Sequence, residues 1–315
     1  MSIQVKIKQN FPLAPLSTFK IGGPAKYFLE AESKEDLAQA VEWAGNNKVD
    51  LFLLGGGSNV LINDAGVDGL VIKFGNKNIN LRGERLECGA GAGLAQAGRT
   101  ACSHCLSGLE WTVGIPGATV GGSVRGNAGA FGMAMAEIVE TVEAFSLAKE
   151  RFEFFSNKDC EFDYRESFFK HNPEYFIWSV VLKMKPETDK KIQEALESNL
   201  KFRENIQPRL PSAGSVFKNF FFEDLKEQSP RLAEYAEENG AVKGDKVGAG
   251  WLVDLMNLKG KKIGGAKISL EHGNFIINTG QATALDVIAL ISFVKQQVRD
   301  RFNVQLQEEI QYFGF

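Results

Sequence analysis

Two glycine-rich segments hold the chemistry that residue type alone reveals. Gly55-Gly56-Gly57-Ser58-Asn59 follows an apolar run at 51–54. Glycines reach positive φ and let a ligand approach the backbone. Consecutive amides there can form a concave nest for an anion such as a pyrophosphate. The run is not a GxGxxG fingerprint, and Val60-Leu61-Ile62 after it reads as strand rather than helix, so a dinucleotide-type βαβ unit is disfavoured. On this loop alone a tight turn explains the residues as well. Residues 115–129 are more informative: glycines recur, side chains are small, charges are few, and Asn127 is present. An ordinary surface loop is more polar. A path this bare fits backbone pressed against a flat ligand such as an isoalloxazine ring, with its polar edge and apolar faces. Cys102-Ser-His-Cys105 has CxxC spacing, but neither Cys88 nor Cys160 completes a second ligand pair. The plainer reading is a helix carrying reduced, partly buried thiols, and no metal is expected.

GGGSNVLI, GIPGATVGGSVRGNAGAFG, DYRESFFK and PSAGSVFKN, in that order, resemble the UDP-N-acetylenolpyruvoylglucosamine reductase family, and TFKIGGPAKYF looks like its N-terminal motif. The resemblance runs from about Thr18 to Gly314. GGGSN is shared by many flavoproteins, whereas DYRES and AGSVFKN together are much more specific. The family implies an α+β fold: a two-part FAD-binding region of the vanillyl-alcohol-oxidase type, then a C-terminal α+β substrate-binding domain. It implies non-covalent FAD, NADPH as co-substrate, and ping-pong reduction of the enolpyruvyl sugar nucleotide to UDP-N-acetylmuramate for peptidoglycan precursor synthesis. No segment between DYRES and AGSVFKN is similar to the extra tyrosine-bearing loop of the longer class, so the chain resembles the shorter class.

Carried over residue by residue, the resemblance makes Arg165 in DYRES, Ser215 in AGSVFKN and Glu309 near the terminus catalytic. Arg165 suits a substrate carboxylate, because a guanidinium is permanently charged and offers two donors. Ser215 can donate a proton to a strongly basic enolate. Glu308 stands where the family has a proline; the apolar neighbours Leu306 and Ile310 favour Glu309 as the functional carboxylate. Gly55, Gly56, Gly57, Ser58, Asn59, Ile115, Pro116, Gly117, Thr119, Gly121, Gly122 and Ser123 would line the cofactor. Lys218 and Asn219 would meet the substrate's diphosphate and uracil, and Lys267 would also bind the substrate. His272 reads as a packing residue rather than a base. The chain departs from the family at Ser17, at Phe220, and in one extra residue near Ala118. Two readings compete: an oxidase on the same FAD-binding fold, which would lack AGSVFKN and the C-terminal glutamate, and a non-catalytic flavin- or nucleotide-binding protein, against which intact Arg165, Ser215 and Glu309 argue.

Those residues need a sizeable scaffold, and composition supplies one. The chain has 315 residues, 44% hydrophobic, a net charge of −3 and a pI near 5.8. That balance excludes the broad basic field of a nucleic-acid binder. No apolar run approaches a membrane span, and MSIQVKIKQNFPLAP has no signal-peptide pattern. A soluble, cytoplasmic monomer is expected. Ser33 and Asp36 open a helix with Leu37, Val41 and Ala44 on its apolar face. Strands are expected at 51–54, 69–73, 142–147, 152–155 and 175–184. An amphipathic helix covers 189–205, with Ile192, Leu196 and Leu200 in one stripe. Thr283 and Asp286 open the helix 284–302, whose core face is Val287, Leu290, Ile291, Val294 and Val298. The expected domains are FAD subdomains at 1–75 and 76–200 and a substrate domain at 201–302, with 303–315 returning to the 76–200 region.

Overall fold

The computed structural model describes residues 6–315, so the start of the N-terminal reading lies outside the described residues. The chain forms two compact units. Unit 1 comprises residues up to Phe11, Pro24–Gly57 and Val67–Glu204; unit 2 comprises Pro12–Gly23, Ser58–Gly66 and Asn205–Phe315.

Among the described residues, unit 1 holds two larger sheets and two short two-stranded ones. The first orders its strands Lys8–Pro12, Pro24–Ala31, Val67–Phe74 and Leu51–Leu54. The last three run parallel, with Leu54 opposite Lys73 and Glu30 opposite Lys73 on the other side. The second orders Arg151–Ser156, Val139–Ser146, Tyr175–Lys183, Arg85–Gly89 and Ile79–Arg82, all antiparallel. The helix Lys34–Asn47 starts as its residues dictate: the Ser33 hydroxyl accepts from Asp36 N, and Leu37, Ala40 and Ala44 face inward. One apolar core joins these elements, from Leu29, Leu37 and Ile72 to Val120, Val142, Phe169 and Val180. Each large side chain so buried contributes about 1.5–3 kcal/mol. The helix Asp189–Ile206 departs from its expected stripe. Ile192 is buried, but Leu200 is exposed, and the other buried side chain is Arg203.

Unit 2 is built on an antiparallel sheet ordered Ser212–Ser215, Phe275–Asn278, Ala266–Ile268 and Lys262–Ile263. The helix Ala284–Phe302 packs on it through Val287, Leu290, Ile291, Val294 and Val298. Thr283 and Asp286 form a reciprocal capping box, and Asp64 accepts from the next two amides, Ala284 N and Leu285 N. The C-terminal strand Gln311–Phe313 pairs in parallel with Val60–Ile62. Residues 303–315 thus belong to unit 2, together with a strand that the sequence pattern groups with the first FAD subdomain. No helix among the described residues is long and apolar enough to cross a membrane.

Candidate active site

In unit 1 the strand Leu51–Leu54 delivers Gly55 and Gly56 against the second glycine segment. A Cβ on Gly56 would lie 1.7 Å from the Gly117 carbonyl oxygen and 3.1 Å from Thr119 N. A Cβ on Gly55 would lie 3.3 Å from the Thr119 hydroxyl, and one on Gly122 3.2 Å from it. The two segments therefore touch backbone to backbone, which only glycine permits. Thr119 precedes the short helix Val120–Arg125. Its hydroxyl is buried and has no hydrogen-bond partner in the protein. A buried donor left unpaired costs about 1–3 kcal/mol. A hydroxyl orphaned between glycines fits a ligand whose edge accepts or donates there, as a flavin does. Ser123 Oγ instead donates to the Thr119 carbonyl at 2.8 Å, so its proton is already placed.

The same glycine segment holds the arginine turn. Asn127 Nδ2 donates to the Asp163 carbonyl at 2.7 Å, and Ser167 Oγ donates to the Arg125 carbonyl at 2.7 Å. Asp163 and Glu166 close a two-residue turn by exchanging backbone hydrogen bonds. Arg165 sits in that turn at φ 59°, and Lys170 Nζ donates to its carbonyl at 2.8 Å. A non-glycine residue in the left-handed region costs about 1–2 kcal/mol and persists where its surroundings hold it.

In unit 2 the AGSVFKN segment is the edge strand of the main sheet. Gly214 takes φ 78°, and the pairing with Phe275–Asn278 shifts register between Ser212 and Ser215. The irregularity lies just before Ser215, which itself pairs with Phe275. On the segment's other edge Glu309 N donates to the Val216 carbonyl at 2.8 Å, and Lys218 N donates to the Gln307 carbonyl at 2.8 Å. The Glu309 segment thus runs beside the stretch that follows Ser215. Asn59 Nδ2 donates to the Glu309 carbonyl at 3.1 Å, and Gln311 N donates to Asn59 O at 2.9 Å. Asn59, read from sequence as a cofactor contact, ties down the main chain of Glu309. Glu308 is occupied elsewhere: Lys295 Nζ at 2.6 Å and the Tyr312 hydroxyl at 2.5 Å donate to its carboxylate. Burial and this carboxylate push the Tyr312 phenol well above its ordinary value. Asn219 Oδ1 accepts from Ala249 N at 3.2 Å, at the start of the helix Ala249–Leu255, and Lys267 lies mid-strand opposite Ile277.

Two residues escaped the sequence reading. Arg203 is buried on a helix whose charged composition hides it. Its guanidinium donates to the Trp111 carbonyl at 2.9 Å, lies 5.2 Å from the Phe131 ring centroid, and so ties together the two ends of the glycine segment. Its Nε has no partner, and burial pushes its pKa down. Asn274 lies inside HGNFIIN, where attention falls on His272. The His272 imidazole is pushed below its ordinary value, first by burial and then by Lys259, with Asp254 opposing. Its Nδ1 accepts from Asn274 N at 3.0 Å, which places the ring proton on Nε2. In the CxxC pair, Cys102 is buried at a helix end and its thiol is pushed up to about 11, mainly by burial, while Cys105 is exposed.

Residues 25–150 match the FAD binding domain, and residues 207–313 match the C-terminal domain of UDP-N-acetylenolpyruvoylglucosamine reductase. The chain is 36% identical over 309 residues to the reductase of that name from Solibacter usitatus, covering 98% of this chain and 97% of that one. It is 37% identical over 314 residues to the one from a Synechococcus strain, covering 98% and 92%. The crystal structure of the Thermus caldophilus enzyme superposes with a TM-score of 0.77 at 33% identity, covering 96% of this chain and 97% of that one. With a matching FAD binding domain, a matching C-terminal domain and end-to-end likeness to these reductases, the chain belongs to the UDP-N-acetylenolpyruvoylglucosamine reductase family.

Proposed function

We propose that this protein reduces UDP-N-acetylenolpyruvoylglucosamine to UDP-N-acetylmuramate with NADPH, in a ping-pong sequence, for peptidoglycan precursor synthesis. The observation that carries this reading is the backbone hydrogen bond from Glu309 N to the Val216 carbonyl, which brings the Glu309 main chain next to the residue that follows Ser215. FAD, when bound, supplies hydride transfer between NADPH and the enolpyruvyl group. The residues suited to holding it non-covalently are Gly55, Gly56, Gly57, Ser58 and Asn59, with Ile115, Pro116, Gly117, Thr119, Gly121, Gly122 and Ser123.

The substrate is an α,β-unsaturated carboxylate. Hydride at its methylene carbon drives an electron pair toward the ether-bearing carbon and onto the carboxylate. Arg165 would meet that growing charge with two N–H donors, which a lysine could not match. Ser215 would then give its Oγ proton to the ether-bearing carbon, completing reduction of the double bond. The Glu308 carboxylate already accepts from Lys295 and Tyr312, which supports Glu309 as the carboxylate beside Ser215. Lys218 and Asn219 would hold the diphosphate and uracil, and Lys267 would also bind the substrate. Incubating purified holoenzyme with NADPH and the enolpyruvyl sugar nucleotide should yield a product heavier by two hydrogens in mass spectrometry. NADPH oxidation that depends on oxygen and ignores the sugar nucleotide would point to an oxidase instead.

Thr119 gives a test with opposite signs in two states. Thr119→Val removes the orphaned hydroxyl and should leave the FAD-free protein as stable as the parent or more so. The same change should weaken FAD binding by about tenfold, or about 1.4 kcal/mol, because the hydroxyl's only partner would be the cofactor. Melting of both forms and a fluorescence titration with FAD would measure this. Unchanged FAD affinity would remove Thr119 from the cofactor site.

A further inference from the structure

The strand carrying Ser215 is fixed in an unusual way. Ser212 pairs with Ile277 and Ser215 with Phe275, but the register shifts between the two pairs, so no continuous ladder runs up to the serine. Beyond Ser215, Val216 N donates to the Asn274 carbonyl at 2.8 Å. The Asn274 side chain then takes over as a surrogate peptide group. Its Oδ1 accepts from Phe217 N at 2.9 Å, and its Nδ2 donates to Phe217 O at 2.8 Å. Asn274 is only 3% exposed. Its own N–H donates to His272 Nδ1, and the His272 ring lies against Gly250, where a Cβ would sit 2.8 Å from Cε1. On the opposite edge of the same strand come Glu309 N on the Val216 carbonyl and the Phe217–Glu308 bridge.

We propose that Asn274 is the positioning residue of the proton-donor strand, holding Ser215 in working register and, across Val216, the Glu309 segment. This rests on the role of Ser215 proposed above. A side-chain amide that matches both backbone groups of Phe217 fixes the strand along its length as well as sideways. No other side-chain type of similar size offers one donor and one acceptor in that geometry. Aspartate keeps the acceptor for Phe217 N–H and loses the donor; alanine loses both.

A double-mutant cycle tests the proposal. Reduced holoenzyme is mixed anaerobically with the enolpyruvyl sugar nucleotide, and flavin reoxidation is followed in single turnover. Asn274→Ala should slow that step about 100-fold, the size expected for a displacement near 1 Å, with Asn274→Asp between it and the parent. In the Ser215→Ala background the same substitutions should add less than about threefold, because the group they position is gone. Equal slowing in both backgrounds would overturn the proposal. Loss of the folded state in both variants, read from melting and retained FAD, would overturn it too, by making Asn274 a residue of the fold. If Ser215→Ala alone leaves reoxidation unchanged, the proton-donor reading itself falls and takes the proposal with it, a result distinct from additivity.

Discussion

Ser215→Ala is expected to separate the two halves of the reaction. Transfer of hydride from NADPH requires no acid at the substrate carbon, so flavin reduction should continue near the parent rate. Protonation of the ether-bearing carbon does require a placed acid. Its removal should slow reoxidation by the enolpyruvyl substrate about 10²–10⁴-fold, or about 3–5 kcal/mol at the transition state. Ser215 is half-buried, follows Gly214 at φ 78° and pairs with Phe275 just after a register shift, so its placement depends on backbone that alanine leaves intact. Ser215→Cys should recover part of the rate, since a thiol donates from nearly the same point. Anaerobic stopped-flow absorbance measures both steps. Equal slowing of reduction and reoxidation would make Ser215 a structural residue, and no change in either would assign the proton to another group.

Gly56→Ala should abolish stable cofactor binding. The added carbon would stand 1.7 Å from the Gly117 carbonyl oxygen and 2.8 Å from its carbon, both backbone atoms, so no side-chain rotation relieves the clash. One of the two glycine segments must move, and Thr119 moves with the second. An FAD affinity lower by at least about 100-fold, or about 2.7 kcal/mol, is expected. The ratio of flavin to protein absorbance after gel filtration would register it. Gly45→Ala serves as the control: Gly45 lies on the exposed side of a helix with nothing within 4 Å of an added Cβ. That change should stabilise the helix by up to about 1 kcal/mol and leave FAD content unaltered. Full FAD occupancy in Gly56→Ala would contradict the cradle.

Much of this was legible locally. Ser33 with Asp36, and Thr283 with Asp286, mark helix starts because a short side-chain oxygen meets an amide only two or three residues away. The glycine segments were legible because several glycines in one window have few other uses. The partner of a three-residue strand was not: Gln311–Phe313 pairs with Val60–Ile62 across about 250 residues, and nothing in its own residues specifies that choice. Leu200 shows the limit of periodicity, since its stripe predicted burial and the inner face of that helix is completed by Arg203 instead. The backbone partners of Asn59 and Asn274 were not legible, for one reason. Each acts on a backbone group distant in sequence, Glu309 O for one and Phe217 N and O for the other, and side-chain type does not reveal such a partner.

The flavin is expected to pass hydride from NADPH to an enolpyruvyl sugar nucleotide. One anaerobic titration tests it most directly. The flavin absorbance of the purified protein should bleach on adding NADPH. It should then return, without oxygen, on adding stoichiometric UDP-N-acetylenolpyruvoylglucosamine. A flavin that stays bleached until air is admitted would contradict the account.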